Sequence, residues 1–260
     1  MYNEPQKQEF YQQLDNTYFW LSAHYVSALH LLRSKINDLK ASHSNQRLKI
    51  LDAGCGSGKF VERLKKVGAD IVGIDYSLEA LQYCRNEFKI PVLRSDLEHL
   101  GLISNQFDAL VSLEVLEHVT NDTRVLQEFY RVMKPGAIGL ITVPAFQILW
   151  GPHDEWFGHV RRYRKSDLKG KLEAAGFEII QISYFKCVFF LPMLILRKLK
   201  KWLGLYETNK TDYIFVPKLF NKILEWVILL EIYSGIYKVT PFGAHVIALL
   251  RKPLDEKSSK

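Results

Sequence analysis

The run Leu51-Asp52-Ala53-Gly54-Cys55-Gly56-Ser57-Gly58-Lys59 reads as a strand that breaks into a glycine-rich turn and then a helix. Such a turn presents backbone N–H groups to a ligand, and glycine lets that ligand come close to the chain. The spacing is G-x-G-x-G after Asp52, without the third glycine of the G-x-G-x-x-G dinucleotide fingerprint. A nicotinamide dehydrogenase is therefore the weaker reading of this loop. Asp75 follows the next strand candidate, 21 residues after Gly54, and Asp96 follows the third. A carboxylate at Asp75 can accept hydrogen bonds from ribose hydroxyls. Asp96 can accept from an exocyclic amine such as that of adenine.

Two further segments carry acid–base chemistry. Glu114-Val115-Leu116-Glu117-His118 follows a fourth strand candidate. A neutral imidazole at His118 is a base suited to pH 7, against the alternative that it caps a turn. Glu114 is placed on the cofactor side, and Glu117 is read as solvated or structural. The second segment, His153-Asp154-Glu155-Trp156-Phe157-Gly158-His159-Val160-Arg161-Arg162-Tyr163, lies in a long loop after a fifth strand candidate. His153 is the second candidate base. His159 with Arg161, Arg162 and Arg164 forms a cationic cluster suited to a phosphate or carboxylate, unless Asp154 and Glu155 merely solvate a basic stretch. No histidine pair has H-x-x-x-H spacing, so no metal is expected.

These residues need a frame. Short apolar runs at 48–53, 70–74, 91–93, 107–112 and 137–143 alternate with amphipathic stretches at 59–67, 78–88 and 121–133. That rhythm predicts a parallel sheet with helices on both faces. A helix over 167–175, a strand over 177–184 and a last strand over 245–250 follow. Residues 1–47 read as an N-terminal helical cap, with Tyr18, Phe19, Trp20, Leu21, Tyr25, Leu29 and Leu32 at helical spacing. The division is thus cap 1–47, core 48–184 with 244–252, and an apolar, basic helical insertion over 185–243. Trp20 and its neighbours pack the cap on the sheet or close over the donor site.

Taken in order, the motifs resemble those of class I S-adenosylmethionine-dependent methyltransferases. Ile50 to Gly58, Val72-Gly73-Ile74-Asp75-Tyr76-Ser77, Ser95-Asp96-Leu97, Phe107 to Ser112 with Glu114 to Val119, and Met133-Lys134-Pro135-Gly136-Ala137 carry the likeness. The resemblance implies an α/β, Rossmann-like, mostly parallel seven-stranded sheet and S-adenosyl-L-methionine as cofactor. It implies donor contacts from Asp52, Gly54, Gly56, Gly58, Asp75, Tyr76, Asp96, Leu97 and Glu114. The loop from His153 to Tyr163 is similar to a bacterial subgroup associated with glycosyltransferase or lipid-carrier pathways, so His159, Arg161, Arg162 and Tyr163 are expected to bind the acceptor. The run Glu114 to Val119 also resembles quinone-pathway O-methyltransferases.

Composition bounds the partners. The chain of 260 residues is 48% hydrophobic and carries a net charge of +7, which favours acidic partners. An RNA methyltransferase fits the charge, but no added RNA-binding module is present and no Asn-Pro-Pro-Tyr-like motif ends the fourth strand, so nucleic acid is disfavoured. Three cysteines, without a C-x-x-C pair, argue against a disulfide framework. The polar start of the chain lacks a signal-peptide pattern, and the expectation is a cytoplasmic protein, peripheral on the inner face of the membrane at most. Cys187 to Leu196 is apolar but spans ten residues and contains Pro192, too short to cross a bilayer. Followed by Arg197, Lys198, Lys200 and Lys201, it suits an anionic lipid surface, a cap on the domain or a homodimer interface. The functional expectation is methyl transfer, preferably O-methylation, to a small or lipid-linked anionic acceptor. A catalytically silent fold serving as a membrane or partner module is the rival from another class.

Overall fold

The computed structural model describes residues 18–42, 46–205 and 216–254. The expected cap before Tyr18 and residues 206–215 of the insertion lie outside the described residues.

Seven strands form one sheet: β1 Lys49–Ala53, β2 Asp70–Asp75, β3 Val92–Arg94, β4 Phe107–Leu113, β5 Met133–Pro144, β6 Glu178–Phe185 and β7 His245–Arg251. Their order is β3-β2-β1-β4-β5-β7-β6. The first five run parallel, and β7 runs antiparallel to both β5 and β6. This is the α/β architecture expected. A parallel sheet is buried on both faces, and the alternation of side chains along each strand decides which face a residue serves. Leu51 and Leu110 join one core with Val125, Leu126 and Phe129 of α4, Asp122–Val132, and with Leu168 and Leu172 of α6, Lys165–Ala174. Ile50, Ala109 and Val111 point the other way. They pack on α1, Phe19–Ser42, on α2, Lys59–Lys65, and on α3, Leu78–Phe88.

Three local readings are corrected. The fifth strand begins at Met133, ahead of the expected Ala137, because Met133 pairs with Phe107 before a bulge restores the register. The cap helix α1 buries Ala23, Ala28, Leu32 and Ile36 completely, while Leu21, Tyr25 and Leu29 are only half-buried. Its inward face is thus rotated from the one the aromatic cluster suggested. The long loop after β5 holds a short helix, α5, Pro152–Phe157, closed by Gly158 at φ +72°.

The insertion forms α7, Phe190–Trp202, and α8, Lys218–Ser234. α8 packs on α1: Asn221 accepts from the Phe19 backbone N–H at 2.9 Å, and Ser22 donates to Glu225 at 2.6 Å. Among the described residues no helix is long and apolar enough to cross a membrane. All three cysteines are buried and unbridged.

Candidate functional site

The loops leaving the carboxyl ends of β1, β2, β3 and β4 line one cavity of about 790 Å³. Open α/β sheets bind ligands at this edge. Gly54, Gly56 and Gly58 all hold positive φ, at +84°, +50° and +85°. A Cβ on Gly54 would lie 2.3 Å from Val115 Cγ2, and one on Gly58 would lie 2.4 Å from Cys84 Sγ. Those two glycines are demanded by packing. A Cβ on Gly56 would meet nothing within 4 Å, and Gly56 lines the cavity. Gly58 does not line it and acts through the turn instead, as the first residue behind α2.

Asp75 accepts from the Gly56 N–H at 2.8 Å and from the Ser77 N–H at 2.9 Å. Both carboxylate oxygens are thereby oriented, and the group lines the cavity. Asp52 is buried with Oδ2 lacking a hydrogen-bond partner. Burial, then the charge of Asp75, pushes its carboxyl up to about 7. Asp96 caps the turn Leu97–His99 by accepting from the Glu98 N–H at 2.9 Å. Leu97 is buried beside it, and Tyr76 is 71% exposed against Arg94. Asp52, Gly54, Gly56, Asp75, Tyr76, Asp96 and Leu97 all line the cavity. They fit S-adenosylmethionine: the buried Asp52 has an oxygen without a hydrogen-bond partner beside the cavity, Gly56 leaves open space, and the oriented Asp75 carboxylate faces the same volume.

The acid–base residues lie across this cavity. Glu114, just after β4, has φ +56°, in the left-handed region that non-glycine residues seldom adopt. Its carboxylate lies 2.9 Å from His245 Nε2 and 3.9 Å from His24 Nε2. His24 comes from α1 and His245 from β7, so elements from both chain ends meet at Glu114. His24 Nε2 also lies 2.9 Å from Thr142 Oγ1, and its Nδ1 lies 3.0 Å from Lys186 Nζ. Lys186 is fully buried, and burial lowers its amine to about 7 against the opposing charges of Glu114 and Glu231. Burial, followed by Lys186, lowers both His24 and His245, which are neutral at pH 7.

Glu117 is buried with both carboxylate oxygens lacking hydrogen-bond partners. Burial and then Glu114 raise its pKa well above the usual range. Of the two readings, solvated or structural, its burial leaves the structural one. His118 opens onto the cavity, while packed protein on its other sides and the nearby His159 lower it to about 4. Its ring meets the His159 ring at 4.6 Å, edge to face. His153 is lowered too, first by burial and then by His159, and its ring lies 5.8 Å from that of His159.

Asp154 organises the second loop. Fully buried, it accepts from His159 Nδ1 at 2.8 Å, Arg162 Nε at 2.7 Å and the Gly151 N–H at 2.8 Å. Arg197 of α7 lies 3.6 Å away. Burial pushes the Asp154 carboxyl upward, but the His159 bond and the Arg162 charge outweigh it and hold the group below the usual carboxylate range. His153, His159, Arg162 and Arg197 also line a second, smaller cavity of about 170 Å³ with Tyr18, Phe19, Trp20, Phe189, Met193 and Leu196. Trp20, Glu114, His153, His159 and His245 border both cavities.

The remaining expected acceptor residues point elsewhere. Arg161 Nη1 pairs with Asp122 at 2.9 Å, and its Nη2 donates to the Thr120 carbonyl. Tyr163 is buried and donates to Asp122 at 2.8 Å. Neither lines either of these two cavities, because the chain after His159 turns Arg161 and Tyr163 to the side opposite Arg162. They anchor the loop to α4. Arg197, expected to reach solvent, is buried at the site. Sequence reading missed His24, His245, Arg197 and Lys186. The only local signal for any of them was an ionisable group in an otherwise apolar stretch. Two trios, His24–Glu114–His245 and Glu117–His118–His159, each gather three ligand-type atoms within 4.8 Å.

Residues 51–141 match the family described as Methyltransferase domain. The chain is 28% identical over 134 residues to a protein named probable S-adenosylmethionine-dependent methyltransferase from Mycolicibacterium smegmatis, covering 50% of this chain and 52% of that one. It is 30% identical to a ubiquinone biosynthesis O-methyltransferase of Hydrogenovibrio crunogenus, covering 51% and 58%. To the mitochondrial ubiquinone biosynthesis O-methyltransferase of Rattus norvegicus it is 38% identical, covering 36% and 30%. The chain thus spans from under a third to just over half the length of these relatives. A solved structure described as a putative sarcosine dimethylglycine methyltransferase from Galdieria sulphuraria matches with TM-score 0.55 at 18% identity, over 85% of each chain. A TehB-like enzyme from Corynebacterium glutamicum matches with TM-score 0.54 at 17% identity, over 96% of this chain and 100% of that one. These two likenesses concern the fold.

Proposed function

Since the chain carries a class I S-adenosylmethionine-dependent methyltransferase domain, we propose that it methylates a hydroxyl of a small or lipid-linked, anionic acceptor. The observation that carries this reading is one cavity lined both by the donor-type residues Gly54, Gly56, Asp75 and Asp96 and by the imidazoles of His118 and His153. S-adenosylmethionine, when bound, supplies an electrophilic methyl group on a sulfonium. The turn at Gly54 and Gly56 would hold its amino-acid end, Asp75 its ribose, and Asp96 with Leu97 its adenine. Methyl transfer needs an aligned oxygen nucleophile, dry surroundings and a place for the hydroxyl proton. Both His118 and His153 are neutral near pH 7 and line the cavity, so either ring can accept that proton, and an approaching anion or carboxylate would have to raise their lowered basicity. Arg162 and Arg197 present guanidinium groups at the wall of the smaller cavity, beside the carboxylates of Asp154 and Glu114, and are the groups that would pair with an anionic acceptor. The apolar wall formed by Phe189, Met193 and Leu196 suits an apolar body or chain on the same molecule.

O-methylation in a quinone pathway is the finer form of this reading, supported by the likeness to proteins named ubiquinone biosynthesis O-methyltransferase. The test is a donor-transfer assay with a phenol bearing a long apolar chain, the same phenol without the chain, and the matching aniline. Methylation of the chain-bearing phenol, slowed in His118→Ala or His153→Ala, is expected. Methylation of the aniline alone would overturn O-methylation. Donor binding without turnover on any acceptor would instead support a catalytically silent module.

A further inference from the structure

We propose that α7 and α8 form a docking surface for an anionic lipid bilayer. The strongest sign is α8. Leu219, Ile223, Trp226, Leu230 and Tyr233 recur at intervals of four and three residues, so they form one stripe along the helix. All five are exposed, with Leu219 at 70% and Trp226 at 65%. The opposite face, carrying Ile228, Glu231 and Ile232, is the one turned to the protein. α7 repeats the arrangement. Leu191, Ile195, Leu199 and Trp202 are exposed, whereas Met193 and Arg197 face inward toward the smaller cavity. An exposed apolar surface of this length marks a contact with something outside the chain.

Charge selects the occupant. Lys198, Lys201, Lys218, Lys222 and Lys238 are exposed in the same segment. Its described acids are not: Glu231 is buried, and the half-buried Glu225 accepts from Ser22. A second copy of this chain would set lysines against lysines across a two-fold interface. An anionic bilayer complements both the apolar stripe and the lysines, and Trp202, Trp226 and Tyr233 have the amphipathic rings that settle at headgroup level. Arg197 takes no part, because it is committed to Asp154 inside the protein. The inner side of α7 walls the smaller cavity, so docking would bring that cavity next to the lipid from which a chain-bearing acceptor comes. This last point rests on the proposed acceptor class; the docking itself does not.

The test therefore uses neither donor nor acceptor. The full chain is co-sedimented with vesicles of phosphatidylcholine alone, or of phosphatidylcholine and phosphatidylglycerol in equal parts, at low and high salt. Binding to the anionic vesicles only, released by salt, is expected. Each lysine changed to Gln among Lys198, Lys201, Lys218 and Lys222 should weaken binding about five-fold. Trp226→Glu should abolish it, with S-adenosylmethionine affinity and far-ultraviolet circular dichroism unchanged as evidence of folding. Protein left in the supernatant with anionic vesicles at low salt overturns the proposal. So does equal binding to neutral vesicles, or a dimer in sedimentation velocity that Trp226→Glu dissociates while vesicles go unbound. Failure of the methyl-transfer assay with vesicle binding intact would count only against the acceptor reading.

Discussion

Replacing Asp154 by Asn should be among the most damaging single changes at the site. Asp154 is fully buried, is the shared counter-charge of Arg162 at 2.7 Å and Arg197 at 3.6 Å, and hydrogen-bonds His159 at 2.8 Å. Asn keeps the volume but removes the charge and turns an N–H group toward a donor. Breaking a buried pair from one side costs about 3–5 kcal/mol, because the remaining cation stays buried without compensation. For a chain of this size that corresponds to a fall in Tm of about 10 °C. The assay is thermal and urea unfolding from neutral to acid pH, with donor affinity and acceptor KM measured in parallel. The sign with pH follows from the depressed carboxyl. A group whose pKa is lower in the folded state stabilises above its unfolded value of about 3.9 and loses that contribution as pH falls through the folded value. The gap between Asp154→Asn and the parent should therefore be constant from neutral pH to about 5 and narrow below about 4. Adding Arg197→Met should restore part of the loss, since one of the stranded cations is removed. Acceptor KM should rise while donor affinity holds. A loss below about 1 kcal/mol, the range of exposed pairs, with no recovery in the double variant would refute the counter-charge account.

Other outcomes follow from the same geometry. Asp75→Ala should weaken S-adenosylmethionine binding by about 1.5–3 kcal/mol, read by calorimetry, because it loses a charge-assisted acceptor that also ties down the Gly56 N–H; unchanged affinity in the folded variant would remove Asp75 from the donor site. Gly54→Ala should impair both folding and donor binding, since its Cβ would lie 2.3 Å from Val115 Cγ2 at φ +84°, and a Val115→Ala partner change should relieve only the steric part. His118, lowered to about 4 by burial and then by His159, stabilises the fold fully above its unfolded value near 6.5 and loses this as pH falls toward 4. His118→Ala should accordingly flatten the acid limb of the stability curve, and urea titrations at several pH values would show it. If either His118 or His153 is the base, one of the two Ala variants should lower kcat steeply with an altered pH profile, whereas full activity in both would rule out a histidine base.

Much of the donor half was legible in advance because it is written locally. A glycine turn, a strand end and a following acid lie within a few residues of one another, and each strand's alternation declares its period. The sequence by itself determined the α/β class, the helices around 59–67, 78–88 and 121–133, and the placement of Gly54, Asp75 and Asp96 at one sheet edge. Only the tertiary structure decided the far side of the cavity. Glu114 acquires His24 from α1 and His245 from β7, residues 90 and 131 positions away in the chain, because the sheet order puts β7 beside β5 and α1 over the same edge. The Arg-rich loop looked uniform in sequence, yet an extended backbone sends Arg162 to Asp154 and its neighbours Arg161 and Tyr163 to Asp122. Arg197 looked like one of four surface cations, and the packing of α7 buried it at the site instead. Pairings between distant segments leave no local periodicity, since the partner of a charged side chain is set by which elements meet.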